Sequence, residues 1–257
     1  MNVKENLRIS ITSLCNMQCR YCHNEGNIEE SILTKNQIKK IIDSLDGHEI
    51  ASVRLTGGEP LISPEIEDIC ELLAIQYGIN VEINTNGIEI DKLLKLINRG
   101  WVKGVVIGID LFDADISKSS PIGQSSKTIK ENILRIKQTD CNVYIDMVYN
   151  GDNNNAEKMI RWAINNDIEI RILEMVSRHI DKLYVKKFNE LQSIISNKIE
   201  LNWYIDRELH ELKGTMNGKT LVIFYNSLCR LQLCNLCKKI QIRITSNGTF
   251  RPCIMNF

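Results

Sequence analysis

The stretch LRISITSLCNMQCRYCHNEG, residues 7–26, decides how the rest of the chain is read. Its first six residues alternate apolar and polar side chains, the period-two pattern of a strand with one face in the core. Three cysteines, Cys15, Cys19 and Cys22, follow at once on one short loop. Working outward, short β-branched runs recur at Ser52–Thr56, Asn80–Asn84, Gly104–Asp110, Asn142–Tyr149 and Glu169–Val176. Helical patterns separate them near Lys35–Leu45, Pro64–Tyr77, Ile90–Asn98, Lys127–Gln138 and Asn154–Asn166. Repeated βαβ units predict an α/β fold with a parallel sheet. Six strands are too few for a closed eight-stranded barrel, so the expectation is a partial (β/α)6 TIM-type barrel. Chemistry in such a fold sits in the loops after the strands. The cysteine loop follows strand one and Gly57-Gly58-Glu59-Pro60 follows strand two, so both fall on that rim.

The pattern changes near residue 180. A helix near Asp181–Ser196 leads into a shorter mixed region, whose last piece, IQIRITSNGTFRPC, carries Asn247-Gly248 between two β-type runs. Asn-Gly in that setting is a strong hairpin signal. Residues 1–180 are therefore expected to form the barrel and residues 181–257 a small C-terminal subdomain containing a β-hairpin.

Composition bounds the function. The chain has 257 residues, enough for one domain or one domain with an appendage. Hydrophobic residues make up 43% and charged residues 25%, as in a soluble globular protein. Lys plus Arg equals Asp plus Glu at 32 each, so no whole-chain basic field favours nucleic acid or anionic lipid. No run approaches the ~18 apolar residues of a membrane span. The N-terminus has charges without an apolar core behind them, unlike a secretion signal, so a cytoplasmic location is expected. Nine cysteines in such a chain point to metal or redox chemistry rather than disulfides. Cys70 and Cys141 stand alone in apolar surroundings and read as small buried hydrophobes. The others form two groups: Cys15, Cys19 and Cys22, then Cys229, Cys234, Cys237 and Cys253.

Three thiolates on one loop suit three irons of a [4Fe–4S] cube with the fourth iron open. A zinc site is the alternative, and it would need a fourth ligand from His23 or a distant residue. The segment CNMQCRYC, with Tyr21 before the third cysteine, resembles the signature of the radical S-adenosylmethionine (SAM) superfamily, and GGEP after strand two fits it. This resemblance implies that the open iron chelates SAM and that one electron cleaves SAM to a 5′-deoxyadenosyl radical, which abstracts a substrate hydrogen. It implies that Cys15, Cys19 and Cys22 hold the cluster. Tyr21, Gly57, Gly58, Glu59, Asn86 and Arg171 are the implied cofactor contacts, with Glu59 accepting from the SAM ammonium. An external electron donor of flavodoxin or ferredoxin type is implied as well.

Within the superfamily the chain is most similar to the GTP 3′,8-cyclase family of molybdenum-cofactor synthesis. LRISIT, VRLTGGEPLISPEI, NTNG, IGIDLFDADI and IEIRILEM carry the likeness nearly end to end. CNLC…IRITSNGTFRPC resembles that family's second iron–sulfur site, so Cys234, Cys237 and Cys253 are expected to ligate an auxiliary [4Fe–4S] cluster; a zinc knuckle is the alternative. Arg8, Arg54 and Arg243 match arginines that hold the nucleotide and are expected to face substrate. Other positions depart: Ser52 and Gln241 replace basic residues, Tyr144 replaces a lysine, Asp146 an amide and Gly108 a serine. The gap from Cys237 to Cys253 is longer than the family's, and the chain ends at Phe257 without the glycine-rich tail. Losing cations while gaining an acid disfavours a triphosphate, since each charged hydrogen bond contributes ~1.5–3 kcal/mol. The expectation is a small polar or nucleotide-like biosynthetic substrate other than GTP. Modification of a ribosomal peptide is the runner-up, and a non-enzymatic iron–sulfur or zinc-binding regulator is the third class. Cys229, five residues before Cys234, is expected to close the auxiliary cluster, to donate a hydrogen atom to a substrate radical, or to be structural.

Overall fold

The computed structural model describes residues 5–19, 22–26, 29–45, 50–112, 126–175, 182–236 and 242–251. Six parallel strands form its centre: β1 (Glu5–Thr12), β2 (Ile50–Gly57), β3 (Asn80–Thr85), β4 (Gly104–Gly108), β5 (Asn142–Val148) and β6 (Glu169–Leu173), hydrogen-bonded in that order. Each follows the predicted run closely, although β4 and β6 stop two or three residues early. Helices α1 (Lys35–Ser44), α2 (Ile66–Glu71), α3 (Ile90–Asn98), α4 (Ser126–Lys137) and α5 (Asn153–Asn165) connect them. The helix expected over Pro64–Tyr77 is tight only in α2. It widens over Leu72–Gln76, where the Tyr77 N–H reaches back five residues to the Leu72 carbonyl.

The strands alternate strictly. Leu7, Ile9, Ile11, Val53, Leu55, Val81, Ile83, Ile145, Met147, Ile170 and Ile172 share one face and are almost fully buried. The helices cover this face with stripes of matching period: in α5, Ala156, Met159, Ile160 and Ala163 are all buried. Helix α1 begins where Thr34 and Gln37 form a reciprocal capping box. Because side chains alternate along a strand, the opposite face receives Arg8, Arg54, Glu82, Asn84, Tyr144, Asp146, Glu169 and Arg171. A closed eight-stranded barrel fills its interior with branched apolar residues. This interior is lined instead with charge, and the sheet ends in two unlike edges.

Residues after 181 extend both edges. Helix α6 (Lys182–Lys198) leads to an antiparallel meander of β7 (Asn202–Asp206), β8 (Glu211–Met216) and β9 (Lys219–Tyr225), and β9 pairs in parallel with β6. At the other edge β10 (Ile242–Ile244) pairs in parallel with β1, placing Arg243 beside Arg8. The expected hairpin is present: Gly248 turns with φ +82°, the Thr245 N–H donates to the Thr249 carbonyl, and Ile244 bridges Phe250. The full order is β10-β1-β2-β3-β4-β5-β6-β9-β8-β7. Sequence pattern anticipated the six central strands but not the individual strands β7–β9, whose short mixed runs carry no clear period.

Among the described residues no helix is long and apolar enough to cross a membrane.

Candidate active site

The cysteine loop is anchored before it begins. The Thr12 hydroxyl accepts the Leu14 N–H, and Ser13 exchanges hydrogen bonds with Ser31. Beyond that point Cys15 and Cys22 are exposed and Cys19 half-buried, all three as free thiols. The Met17 N–H donates to Cys15 Sγ at 3.3 Å and the Asn24 N–H to Cys22 Sγ at 3.3 Å. Such donors tune cluster sulfurs. Three thiols on one loop are the donor set for three irons of a [4Fe–4S] cube, and the residues present fit that group. Burial raises the Cys19 thiol to about 11, helped by Asp110, and burial also raises Cys15, so ligation must displace protons.

The second rim loop is pressed against the first. The Gly58 N–H donates to the Thr12 carbonyl at 2.7 Å and the Glu59 N–H to the Leu14 carbonyl at 2.8 Å. A Cβ at Gly58 would lie 2.1 Å from the Leu14 oxygen, which explains why this position takes no side chain. Glu59 turns inward and is 1% exposed. Its Oε1 accepts the Leu61 N–H and the Thr85 hydroxyl, and its Oε2 accepts the Asn86 N–H. Burial nonetheless pushes its carboxyl up to about 7 against those three donors. Glu59 thus braces the loops after β1, β2 and β3 from within, and an incoming ammonium would have to use the remaining capacity of Oε2. Asn86 completes the brace, its Nδ2 donating to Asn16 Oδ1 in the cysteine loop at 2.7 Å.

Deeper in the barrel the register aligns Arg243, Arg8 and Arg54 across β10, β1 and β2. Every one of them meets a carboxylate. Arg8 forms a two-pronged pair with Glu25, through Nε at 3.0 Å and a still shorter contact from Nη2. Arg243 Nη1 lies 4.0 Å from the same carboxylate. Arg54 donates to Glu82 through Nε at 2.9 Å and Nη2 at 2.7 Å. Burial works against the charge on Glu25, but Arg8, with His23 and Arg243, outweighs it and holds the carboxyl at about 2. On the far side Arg171 Nε approaches Asp146 Oδ1 to 2.6 Å without hydrogen-bond alignment, and the guanidinium faces the Tyr144 ring. Its Nη2 has no hydrogen-bond partner, nor has Asn84 Oδ1 on β3. Arg171 thus carries a buried, unmatched N–H on the interior face. Asp110, after β4, is raised to about 7 by burial, against the Val148 N–H that it accepts.

Ser52 is half-buried and donates to Asn6, and Tyr144 is half-buried on the interior face. Tyr21, Gln241, Cys237 and Cys253 lie outside the described residues. Cys229 is half-buried and Cys234 exposed on the segment after β9. Glu174, at the end of β6, ties that segment down by accepting the Ser227 N–H at 2.7 Å and Arg230 Nε at 2.6 Å. Cys70 and Cys141 are buried in the core as expected, and burial raises Cys141 to about 12. The sequence reading missed Glu25, Glu82 and Glu174. Glu82 was findable, since it shares the parity of Arg54 and Arg8 on neighbouring strands. Glu25 follows the cysteine loop with no periodic signal.

Together these features define a partial-barrel enzyme with its reactive groups on the rim above a charged interior. Residues 9–163, more than half of the chain, match the family model described as the Radical SAM superfamily, and the chain belongs to that superfamily. The family implies a [4Fe–4S] cluster and SAM. Among curated relatives, the GTP 3′,8-cyclase of Alkaliphilus metalliredigens is 27% identical over 267 aligned residues, covering 96% of this chain and 80% of the relative. Among solved structures, Streptococcus suis SuiB bound to precursor peptide SuiA superposes with TM-score 0.69 at 16% identity, over 99% of this chain. The chain spans 60% of SuiB's length. AnSMEcpe with bound AdoMet and a peptide matches with TM-score 0.65 at 17% identity, covering 98% of this chain and 74% of that one. At these identities the solved structures establish the fold.

Proposed function

We propose that this chain is a radical SAM enzyme that abstracts hydrogen from a small polar biosynthetic substrate other than GTP. Cys15, Cys19 and Cys22 would hold the catalytic cluster, while Gly57, Gly58, Glu59, Asn86 and Arg171 would frame SAM. Tyr21 is assigned to the same cofactor. When bound, cluster and SAM supply one-electron reduction and a hydrogen-abstracting 5′-deoxyadenosyl radical. The chain's own task is to position and shield. Backbone donors to Cys15 and Cys22 orient the cluster ligands, Glu59 and Asn86 lock the rim loops together, and the Nη2 of Arg171 is open to a carboxylate. Cys234, Cys237 and Cys253 are assigned to an auxiliary cluster in a C-terminal subdomain of residues 181–257.

The observation that carries the substrate reading is the pairing of the interior arginines. Arg8, Arg54 and Arg243 match nucleotide-holding positions of the cyclases, yet each faces Glu25 or Glu82. A triphosphate would have to displace those carboxylates. A peptide substrate is the second reading, supported by β7 standing last in the sheet order and by the peptides bound in the SuiB and anSMEcpe structures. The test is anaerobic incubation of reconstituted protein with SAM, a reductant of flavodoxin type and deuterated candidates. Deuterium in the released 5′-deoxyadenosine identifies the substrate. Deuterium arriving from GTP at a cyclase-like rate would refute the reading, and failure to cleave SAM would support a regulator instead.

A further inference from the structure

Glu25 is not among the residues assigned above to cluster or SAM, yet its carboxylate meets two arginines and a hydroxyl. Three observations define its place. Its backbone is left-handed at φ 52°, directly after Asn24 at φ 45°, a conformation that non-glycine residues seldom adopt. The Glu25 N–H donates to His23 Nδ1, so the turn is held from inside the loop. Its side chain, 8% exposed, enters the barrel and meets Arg8 on two nitrogens, Arg243 at 4.0 Å and the Thr56 hydroxyl at 3.4 Å. A carboxylate that takes a two-pronged guanidinium and a second arginine occupies the position an anionic ligand group would otherwise take.

Other described cations of the interior also face carboxylates, though Arg171 keeps an unmatched Nη2. Arg54 faces Glu82, Arg171 faces Asp146, and Lys213 faces Asp206 at 2.8 Å and Glu211 at 3.0 Å. We infer that Glu25 is a built-in occupant of the arginine row, a specificity-determining residue that closes the interior to phosphate chains and selects substrates with little net negative charge. This deepens the substrate reading above and rests on it for the location of the substrate site. It also gives that reading a cause inside this chain: cyclase-like arginines are kept, and their anion-binding capacity is spent on an internal carboxylate.

The test uses Glu25→Gln, which keeps the side chain's shape and removes its charge, with tripolyphosphate as probe on anaerobically reconstituted protein. Binding is measured by equilibrium dialysis at fixed ionic strength, alongside SAM-dependent 5′-deoxyadenosine release and the thermal midpoint. The parent should bind tripolyphosphate weakly, and Glu25→Gln should bind it about tenfold or more tightly, the equivalent of one charged hydrogen-bond partner released to the ligand. Adding Arg8→Met to Glu25→Gln should abolish the gain, and Glu208→Gln, which makes the same charge change at an exposed site away from the row, should give none, so a general change in protein charge is separated from release of the arginines. A folded Glu25→Gln with no gain would overturn the proposal, as would a parent that binds the probe equally well. Loss of SAM cleavage in the parent itself would refute the enzymatic reading separately, since probe binding does not depend on turnover.

Discussion

Two polar regions of the same barrel are built by opposite rules. On the rim of β1–β3, polar groups have internal partners: Glu59 accepts three donors, Asn86 reaches Asn16, and Gly57 and Gly58 leave no space for a side chain. In the interior beside β3 and β6, buried polar atoms stand unmatched, namely Asn84 Oδ1 and Arg171 Nη2. Buried polar groups left without partners cost about 1–3 kcal/mol each, so a folded protein keeps few of them without use. The rim loops are locked to one another by bonds within the chain, the interior holds charge pairs beside unmatched buried atoms, and perturbation should affect the two differently.

The largest effect is expected on the rim. Replacing Cys15, Cys19 and Cys22 together with Ala should lower bound iron from about eight to about four per chain, if both sites carry [4Fe–4S] clusters. SAM cleavage should vanish while the fold persists, because these side chains are exposed or half-buried and no core contact depends on them. Iron quantitation and 5′-deoxyadenosine release check both halves; residual cleavage would remove the loop from the catalytic role.

Next in size is Gly58→Ala. The new Cβ would sit 2.1 Å from the Leu14 carbonyl oxygen, a backbone atom that cannot swing aside. Overpacking of this kind costs about 1–3 kcal/mol or more, and a chain of this size loses roughly 2–4 °C of thermal midpoint per kcal/mol. A midpoint unchanged within a degree would show that the two loops are not locked. The rim should also carry a pH signature. Glu59 and Asp110 both rise to about 7 from ordinary values of 4.5 and 3.8, so across that window the folded chain binds more protons than the unfolded one. Stability of the cofactor-free chain should therefore fall as pH rises towards 7, and Glu59→Gln should flatten part of the slope. Glu25 has the opposite sign. Its stabilisation is present above 4.5 and fades as pH drops towards 2.

In the interior, Arg171→Met alone should cost about 1–3 kcal/mol because it strands Asp146 in a buried setting. Combining it with Asp146→Asn should recover most of that loss, since replacing both members of a buried pair is often near neutral. SAM affinity should stay low in both variants if Arg171 takes the SAM carboxylate. Recovery of stability without recovery of binding is the outcome that separates a ligand-facing pair from a structural one.

What could be read beforehand follows the same division. The six central strands and the hairpin were legible because alternation and the Asn-Gly pair are local signals. The rim residues were legible because cysteine spacing and paired glycines are local too. The interior pairs were not: Arg8 meets Glu25 across 17 positions, and Arg54 meets Glu82 across 28. Parity puts Glu82 and Arg54 on one face, but only strand register pairs them, and only the turn after the cysteine loop brings Glu25 to Arg8; neither is written in a single sequence. Strands β7–β9 were blurred for a related reason, since half-exposed strands such as β7 lack the clean alternation of the centre.

The smallest expected effect on the fold, and a sharp discriminator at the barrel's edge, comes from Cys229→Ala. Cys229 is half-buried in the turn after β9, where its carbonyl accepts the Gln232 N–H. The segment is fixed from elsewhere: Glu174 holds the Ser227 N–H and Arg230 together, independently of the thiol. Removing Sγ should therefore change stability by under about 1 kcal/mol, as exposed and half-exposed substitutions usually do. Any larger consequence must come from chemistry. If the thiolate closes the auxiliary cluster together with Cys234, the variant loses auxiliary iron or shows an altered cluster spectrum. If the thiol instead gives a hydrogen atom to a substrate radical, both clusters persist, deuterium still reaches 5′-deoxyadenosine from the labelled substrate, and product formation stalls. Because the segment bearing Cys229 is tied to the end of β6, both roles would act from the rim. Unchanged iron together with unchanged product would leave Cys229 a structural thiol and eliminate both functional assignments at once.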